Sequence, residues 1–121
     1  TLPFAEAEPG ATGLELLLSL ALKWGEAEGA GGLRRALAVV TSEPVRVLGE
    51  ALGSLASSAG RLVEGGVADV CVFDPEARWT ATPQALRSQG KHTPFGGWPV
   101  RGRVRCTIAA GQLAYEAPAA A

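Results

Sequence analysis

The fold is decided by residues 60–75, which read GRLVEGGVADVCVFDP. Before this stretch the chain is rich in Leu and Ala at helical spacing, and within it Val begins to alternate with other apolar residues. Alternation at a period of two predicts a strand over residues 68–73. Asp74 and Pro75 follow, a pair typical of turns, so we expect the strand to end there with Asp74 capping the turn.

Toward the C-terminus the sequence predicts more strand. Residues 103–108 alternate Arg or Thr with apolar side chains, which indicates a strand with one wet face. Residues 110–112 (AGQ) form a turn signal, and residues 113–116 return as a second strand, so the pair is predicted to be a hairpin. Residues 83–88 fit one helical turn, with Thr82 as its cap.

Toward the N-terminus the sequence predicts helix. Apolar residues recur at the spacing of one buried helix face: Leu14, Leu17, Leu18, Ala21 and Leu22. Thr12 is the expected N-cap, Glu15 three residues later would close a capping box, and Gly25 would end the helix.

Two shorter helices are predicted next. Residues 33–40 form the second, and Thr41 or Ser42 caps a third that has Pro44 in its first turn and ends at Gly49. The Ala, Ser, Gly and Leu that follow suggest either a mobile connection or a weak helical extension.

The predicted helices and strands are too few to bury one another's apolar surfaces. Three strands leave sheet edges and faces without partners, and the first helix has a wide apolar face with no sheet beside it in sequence. We therefore predict an α/β segment that is incomplete as a stand-alone fold. There is no Met and residue 1 is Thr, so we expect either the loss of an initiator Met or a chain that begins inside a longer protein.

Composition excludes several classes of function. The 121 residues are 47% hydrophobic with a net charge of −1, which indicates a folded core and no general attraction to nucleic acid or anionic membranes. No apolar run approaches the roughly 20 residues that span a bilayer. We expect a cytoplasmic protein that binds neither nucleic acid nor membrane.

Candidate catalytic and metal-binding residues are scattered along the sequence. His92 is the one histidine, and we favour a loop or interface role for it over metal ligation, since only Asp69 and Asp74 supply Asp. A triad of Ser88, His92 and Asp74 can be written, but no GxSxG motif supports it. The Gly-rich stretches at 29–32 and 65–66 match no phosphate-binding motif. The sequence therefore predicts no catalytic and no metal-binding residues in this chain.

The two cysteines, and the stripe formed by Arg101, Arg103 and Arg105 (the Arg stripe), have two interpretations each. Cys71 and Cys106 lie in apolar strands without a CxxC pair, and we favour two buried free thiols over a disulfide. Arg101, Arg103 and Arg105 recur at period two, and we favour a solvated strand face over an anion-binding or partner-binding surface.

Six blocks carry a family resemblance. They are 8–15 (EPGATGLE), 41–49 (TSEPVRVLG), 60–75, 93–97 (TPFGG), 102–107 (GRVRCT) and 111–116 (GQLAYE). In this order and spacing they resemble the C-terminal third of class I dihydroorotases, members of the amidohydrolase superfamily. The Gly-Leu-Glu opening together with Thr-Pro-Phe narrows the resemblance to dihydroorotase-like proteins.

The resemblance implies a metal-dependent (β/α)₈ TIM-type barrel with a small β-sandwich. Residues 1–50 would be the last barrel loop and helices, 51–60 a flexible connection, 61–116 the C-terminal part of the sandwich, and 117–121 a disordered tail. The family interconverts carbamoyl-aspartate and dihydroorotate in pyrimidine biosynthesis, where a metal-activated hydroxide attacks a ring carbonyl. The implied zinc ligands would all precede this segment, which itself would bind none.

One functional element carries over from the family. The loop before the Gly-Leu-Glu helix contacts substrate there, chiefly through backbone groups, and here that loop holds Pro9 and Gly10. Pro9 stands where the family often has an aromatic residue, and it has no N–H to donate. His92 stands where the family usually has Asn.

The resemblance leaves partners and activity open. The rest of the barrel is the first implied partner, in the same chain or in a companion polypeptide, and an oligomer is expected. One alternative is a non-catalytic dihydroorotase-like subunit that scaffolds aspartate carbamoyltransferase. A second alternative is a stand-alone interaction domain.

Overall fold

The computed structural model describes Pro3, Glu6, residues 10–27, Gly29 and residues 32–118. Helices come first and an antiparallel sheet second, so the predicted α/β class is confirmed. The helices are α1 (Leu17–Ala27), α2 (Gly32–Val40) and α3 (Ser42–Leu48). The strands are β1 (Val70–Thr80), β2 (Pro99–Ala109) and β3 (Gln112–Glu116).

The sheet has the order β1-β2-β3, and both pairings are antiparallel. The predicted hairpin is confirmed: Ala109 pairs with Gln112 across a two-residue turn. Both turn residues have positive φ, 49° at Ala110 and 80° at Gly111, as a type I′ turn requires. Beyond β3, the N–H of Ala117 still donates to the carbonyl of Arg105 at 2.7 Å.

Strand β1 does not end at Asp74 and Pro75, so that prediction is wrong. The strand continues to Thr80 because an irregularity between Asp74 and Arg78 takes up the extra residues without breaking the pairing with β2. The expected capping role of Asp74 is nonetheless confirmed. Its Oδ1 accepts hydrogen bonds from the N–H groups of Glu76 and Ala77, at 2.9 and 3.2 Å.

The start of the first helix differs from the prediction. A 3₁₀ turn over Leu14–Leu16 precedes α1, its N-cap is Gly13, and no side chain caps it. The capping box is wrong because the Glu15 carboxylate is bound elsewhere. The predicted buried face is confirmed at Ala21 and Leu22 but is wrong at its N-terminal end, where Leu16 is buried whereas Leu14 is 88% exposed.

Gly25 lies inside α1 and does not end it. It is buried at the crossing with α2, where a Cβ on Gly25 would stand 2.3 Å from the carbonyl oxygen of Gly32 and 2.8 Å from Cβ of Ala36. The two backbones can therefore approach this closely only because both positions are Gly.

The bounds predicted for α2 and α3 are confirmed to within a residue. Thr41 is the N-cap of α3, and Gly49 follows its last residue. 3₁₀ turns over Gly49–Ser57, kinked at Gly53, then continue the chain, which matches the weak helical extension that the sequence left open. The short turn Pro83–Ala85 is capped as predicted, because the Thr82 hydroxyl accepts from the N–H of Ala85.

Helix α1 is joined to the sheet at Gly102 of β2. The Gly102 carbonyl accepts hydrogen bonds from the buried Ser19 hydroxyl and from Nε1 of Trp79, at 3.1 and 3.0 Å. Its φ is +91°, and a Cβ there would lie 2.4 Å from Cδ1 of Leu22. Gly102 thus allows helix and strand to touch.

Few side chains of the described residues are buried. Two small clusters form the core, one around Leu16, Ala81 and Leu86, the other around Ala21, Leu22 and Ala36. The accessible surface is 8925 Å², whereas a compact monomer of this mass would expose about 6100 Å². Large apolar side chains stay exposed, among them Val47, Leu62 and Leu113. In the part of the chain that the structure describes, no helix is long and apolar enough to cross a membrane.

Candidate functional site

The predicted substrate loop precedes the first helix. Pro9 lies outside the described residues, so the structure places only Gly10 of the predicted pair. Gly10 is exposed, and a Cβ built on it would meet no atom within 4 Å. We refer to residues 10–13 as the Gly10 loop.

The Gly10 loop is held against the loop that leads into β2. The N–H of Thr12 donates to the carbonyl of His92 at 2.6 Å. Gly90 lies beside the same residue, because a Cβ on Gly90 would stand 2.7 Å from the Thr12 hydroxyl oxygen. A backbone hydrogen bond and a close glycine contact therefore fix the middle of the Gly10 loop.

A second and stronger attachment lies at Glu15, just after the loop. One carboxylate oxygen accepts from the N–H of Arg87 at 2.8 Å. The other accepts from the N–H of Ser88 at 2.8 Å and from its hydroxyl at 2.6 Å. These three residues form what we call the Glu15 clamp. Hydrogen bonds to an ionised carboxylate are about twice as strong as neutral ones.

The clamp changes the acidity of Glu15. Burial raises the pKa of the Glu15 carboxyl, but the hydrogen bonds from Ser88 and Arg87 and the charge of Lys91 together outweigh burial, so the net shift is below its ordinary value of 4.5. The carboxylate is therefore ionised at neutral pH, the form that the clamp requires.

Apolar side chains next to the clamp pack together and stabilise its position. Leu16, the next residue, is 1% exposed and packs with Ala81 and Leu86, the residue before the clamp's Arg87. Phe95 adds a partly buried ring to the same cluster. The clamp thus lies on the edge of a hydrophobic cluster that joins the helical part to the sheet.

The loop offers backbone donors. Among the described residues, no hydrogen bond is made by the N–H of Ala11 or of Gly13, and both residues are exposed. The N–H of Thr12 between them is already used. Backbone N–H groups without a partner among the described residues suit a carboxylate or carbonyl oxygen of a small ligand.

The structure does not assemble the Ser88, His92 and Asp74 triad. The Ser88 hydroxyl donates to Glu15, and the Asp74 carboxylate accepts from Arg105 and from two backbone N–H groups. His92 is exposed, and its contact with the Gly10 loop is made by its carbonyl.

The zinc that the resemblance implies has no fitting donor set here. Within residues 10–27 and 32–118 and the isolated described positions, no three His, Cys, Asp or Glu side chains come together as a metal site. We therefore derive no step through a metal from these residues.

The two cysteines are free thiols, as predicted. Neither thiol is buried as predicted, since Cys71 is exposed and Cys106 is partly exposed. Cys71 pairs with Thr107, the neighbour of Cys106, so the two sulfurs lie on opposite faces of the sheet and cannot be bridged. Partial desolvation of this otherwise exposed residue raises the pKa of the Cys71 thiol, and a hydrogen bond from Thr107 partly offsets that rise.

The Arg stripe is occupied by this chain's own groups. Arg101 pairs with Glu26 of α1 at 2.5 Å, and Arg105 pairs with Asp74 at 3.3 Å. Arg103 lies with its guanidinium 5.8 Å from the ring centre of Trp79. These contacts favour a partly exposed strand face on which Arg101 and Arg105 are paired with carboxylates and Arg103 lies over an aromatic ring.

Sequence reasoning missed the Glu15 clamp. Glu15 was assigned to a local capping box, while its partners Arg87 and Ser88 lie 72 and 73 residues away. The available signal was the pair of quoted blocks around Gly-Leu-Glu and Thr-Pro-Phe, which the clamp and the Thr12–His92 bond bring side by side.

Curated relatives match the chain along most of its length. A protein named dihydroorotase from Syntrophotalea carbinolica is 42% identical over 107 residues, which is 88% of this chain and 23% of the relative. Dihydroorotase from Geobacter metallireducens is 37% identical over 115 residues, 95% of this chain and 25% of the relative. The chain therefore spans about a quarter of the length of the curated relatives it matches. No protein-family model matches the chain.

A solved structure shares the fold. D-hydantoinase (dihydropyrimidinase) from Thermus sp. matches with a TM-score of 0.76 at 21% identity, over 93% of this chain and 24% of that one. At this identity the match supports the fold alone. The sequence relatives confirm the resemblance to a segment of dihydroorotases.

Proposed function

Because this chain is similar to dihydroorotases over 88–95% of its length, we propose that it is the C-terminal part of a dihydroorotase. Such an enzyme is a cyclic amidohydrolase that interconverts carbamoyl-aspartate and dihydroorotate in pyrimidine biosynthesis. The observation that carries this proposal is the 42% identity over 107 residues with the Syntrophotalea carbinolica protein.

The proposed architecture assigns each half of the segment a larger partner. Helices α1 to α3 would be the last helices of a (β/α)₈ barrel, and the three strands would belong to a small β-sandwich. The uncovered surface supports this assignment, because about 2800 Å² more is exposed than a compact monomer of this mass would show. Likeness of fold to a hydantoinase chain four times as long also supports it.

The proposed role of this segment is substrate binding rather than bond cleavage. Ala11 and Gly13 of the Gly10 loop are exposed residues, and their N–H groups, which make no hydrogen bond among the described residues, suit a carboxylate or carbonyl oxygen of the substrate. The zinc and its ligands are proposed to lie elsewhere in the polypeptide, and no catalytic residue is assigned to the segment.

Activity of the intact polypeptide tests the proposal. Purified protein carrying this segment is expected to convert carbamoyl-aspartate to dihydroorotate and to lose that activity on chelation. Residues 1–121 expressed alone serve as the control and should be inactive. Intact mass, measured first, shows whether the preparation contains more than the 12.4 kDa of this chain.

A different result would favour the scaffold alternative. If the intact polypeptide shows no turnover and binds no metal, yet co-purifies with aspartate carbamoyltransferase and raises its thermal stability, the enzyme proposal fails. The non-catalytic subunit then becomes the better account.

A further inference from the structure

We propose that Glu15 is a positioning residue for substrate binding, an inference that rests on the function proposed above. By holding the turn at Arg87 and Ser88, its carboxylate fixes the Gly10 loop in the place where the N–H groups of Ala11 and Gly13 meet the substrate. Glu15 itself contacts no substrate and takes no part in the chemistry.

The attachments run in register along two segments. Thr12 meets His92 and Gly90, Glu15 meets Ser88 and Arg87, and Leu16 packs on Leu86. Residues 12–16 therefore run antiparallel to residues 86–92, held by backbone, charged and apolar contacts in turn. The Gly10 loop is the free end of this pairing.

A carboxylate is the side chain that fits the clamp. Each of its two oxygens faces an N–H donor, and one also receives the Ser88 hydroxyl. A glutamine would keep the length but offer only one oxygen, and its amide N–H₂ would face a donor. On the other side of the clamp, Nζ of Lys91 donates to the Leu86 carbonyl and so closes the turn that carries both clamp N–H groups.

Loss of the clamp should act on binding more than on turnover. The loop would keep the single Thr12–His92 hydrogen bond, which leaves Gly10, Ala11 and Gly13 free to shift. Interactions made equally with ground state and transition state appear in KM, whereas a general loss of folded protein lowers apparent kcat at unchanged KM. The two effects can therefore be separated.

The experiment compares three variants of the intact polypeptide. Glu15→Gln removes one clamp acceptor, Ser88→Ala removes only the hydroxyl and keeps both backbone bonds, and Glu64→Gln is the matched control. Glu64 is exposed and makes no hydrogen bond or ion pair among the described residues. The measurements are kcat and KM for dihydroorotate, with hydrogen exchange of the peptide covering residues 10–16.

The expected result is graded. In Glu15→Gln, KM rises about tenfold with kcat within about twofold, and exchange in residues 10–16 becomes faster. In Ser88→Ala, KM rises about two- to threefold. Glu64→Gln matches the wild type in every readout.

Four outcomes overturn the inference. An active wild type whose Glu15→Gln variant keeps its KM overturns it and leaves the proposed function standing. Loss of kcat at constant KM shows a purely structural role. Should Glu15→Gln fail to fold, an unchanged KM in the milder Ser88→Ala variant decides against the inference. Inactivity of the wild type and the Glu64→Gln control removes the proposed function and this inference together.

Discussion

The hydroxyl of Ser19 in α1 donates to the carbonyl oxygen of Gly102 in β2 at 3.1 Å, and both residues are buried. Nε1 of Trp79 donates to the same oxygen from β1. One carbonyl thus links a helix and two strands. The orientation of the helices on the sheet, and with it the position of the Gly10 loop, depends on this contact.

Gly102→Ala should destabilise the protein by about 2–4 kcal/mol. The substitution places a side chain on a residue with positive φ, where it is strained, and its Cβ clashes with Leu22. Urea unfolding of the polypeptide that contains the segment measures the change. Gly65→Ala is the control, because Gly65 also has positive φ (74°) but open space around it, so that only about 1 kcal/mol is expected. Equal effects at the two sites would contradict the close helix–strand contact.

Gly25→Ala should cost about 1–3 kcal/mol even though Ala favours helix by about 1 kcal/mol. The added Cβ meets the backbone of Gly32, which cannot move without shifting α2. Thermal unfolding of this variant and of Gly96→Ala tests the prediction, since the nearest atom to a Cβ on Gly96 lies at an ordinary 3.5 Å. A stabilised Gly25→Ala variant would show that the helices cross elsewhere.

The clamp predicts a pH dependence of stability. The folded-state pKa of Glu15 lies below its ordinary value of 4.5, so its contribution is fully present above 4.5 and is lost as pH falls through the folded pKa. The free energy of unfolding of Glu15→Gln, followed by urea titration from about pH 6 to pH 3, should therefore approach that of wild type at the acid end. A constant difference across that range would contradict the ionised clamp.

Ala110→Asn should stabilise the hairpin by about 0.5–1 kcal/mol, because Asn tolerates positive φ better than Ala in a type I′ turn. Ala110 is the one described residue other than Gly with positive φ. A rise of a few degrees in Tm is the expected readout. Ala109→Asn, one residue earlier in β2, is the control and should give no rise; equal stabilisation by both would exclude the turn as the cause.

Local patterns predicted the local structure well. The hairpin after β2, the bounds of α2 and α3 and the Thr82 cap depend on neighbouring residues, and the structure confirms them. Strand β1 was predicted too short, because Asp74 and Pro75 signal a turn and the sequence does not reveal that β2 pairs across it.

The roles that depend on contacts between distant residues could not be predicted from the sequence. Glu15 looks like a capping residue until Ser88 is placed beside it, and Gly25 looks like a helix end until Gly32 is packed against it. Of the predicted substrate-binding pair, Gly10 lies in an exposed loop, while Pro9 lies outside the described residues and its role stays a prediction.

The Glu15 clamp has a consequence for the order of folding. Arg87 and Ser88 lie 72 and 73 residues after Glu15 along the chain, with β1 in between, so the clamp cannot close on the timescale of local helix formation. Closure of so long a loop must wait until β1 and β2 have paired and brought residues 86–92 next to the helix. The Gly10 loop is therefore expected to acquire its final conformation late, after most of the surrounding structure has formed. In refolding experiments, ligand binding should then recover more slowly than helical structure.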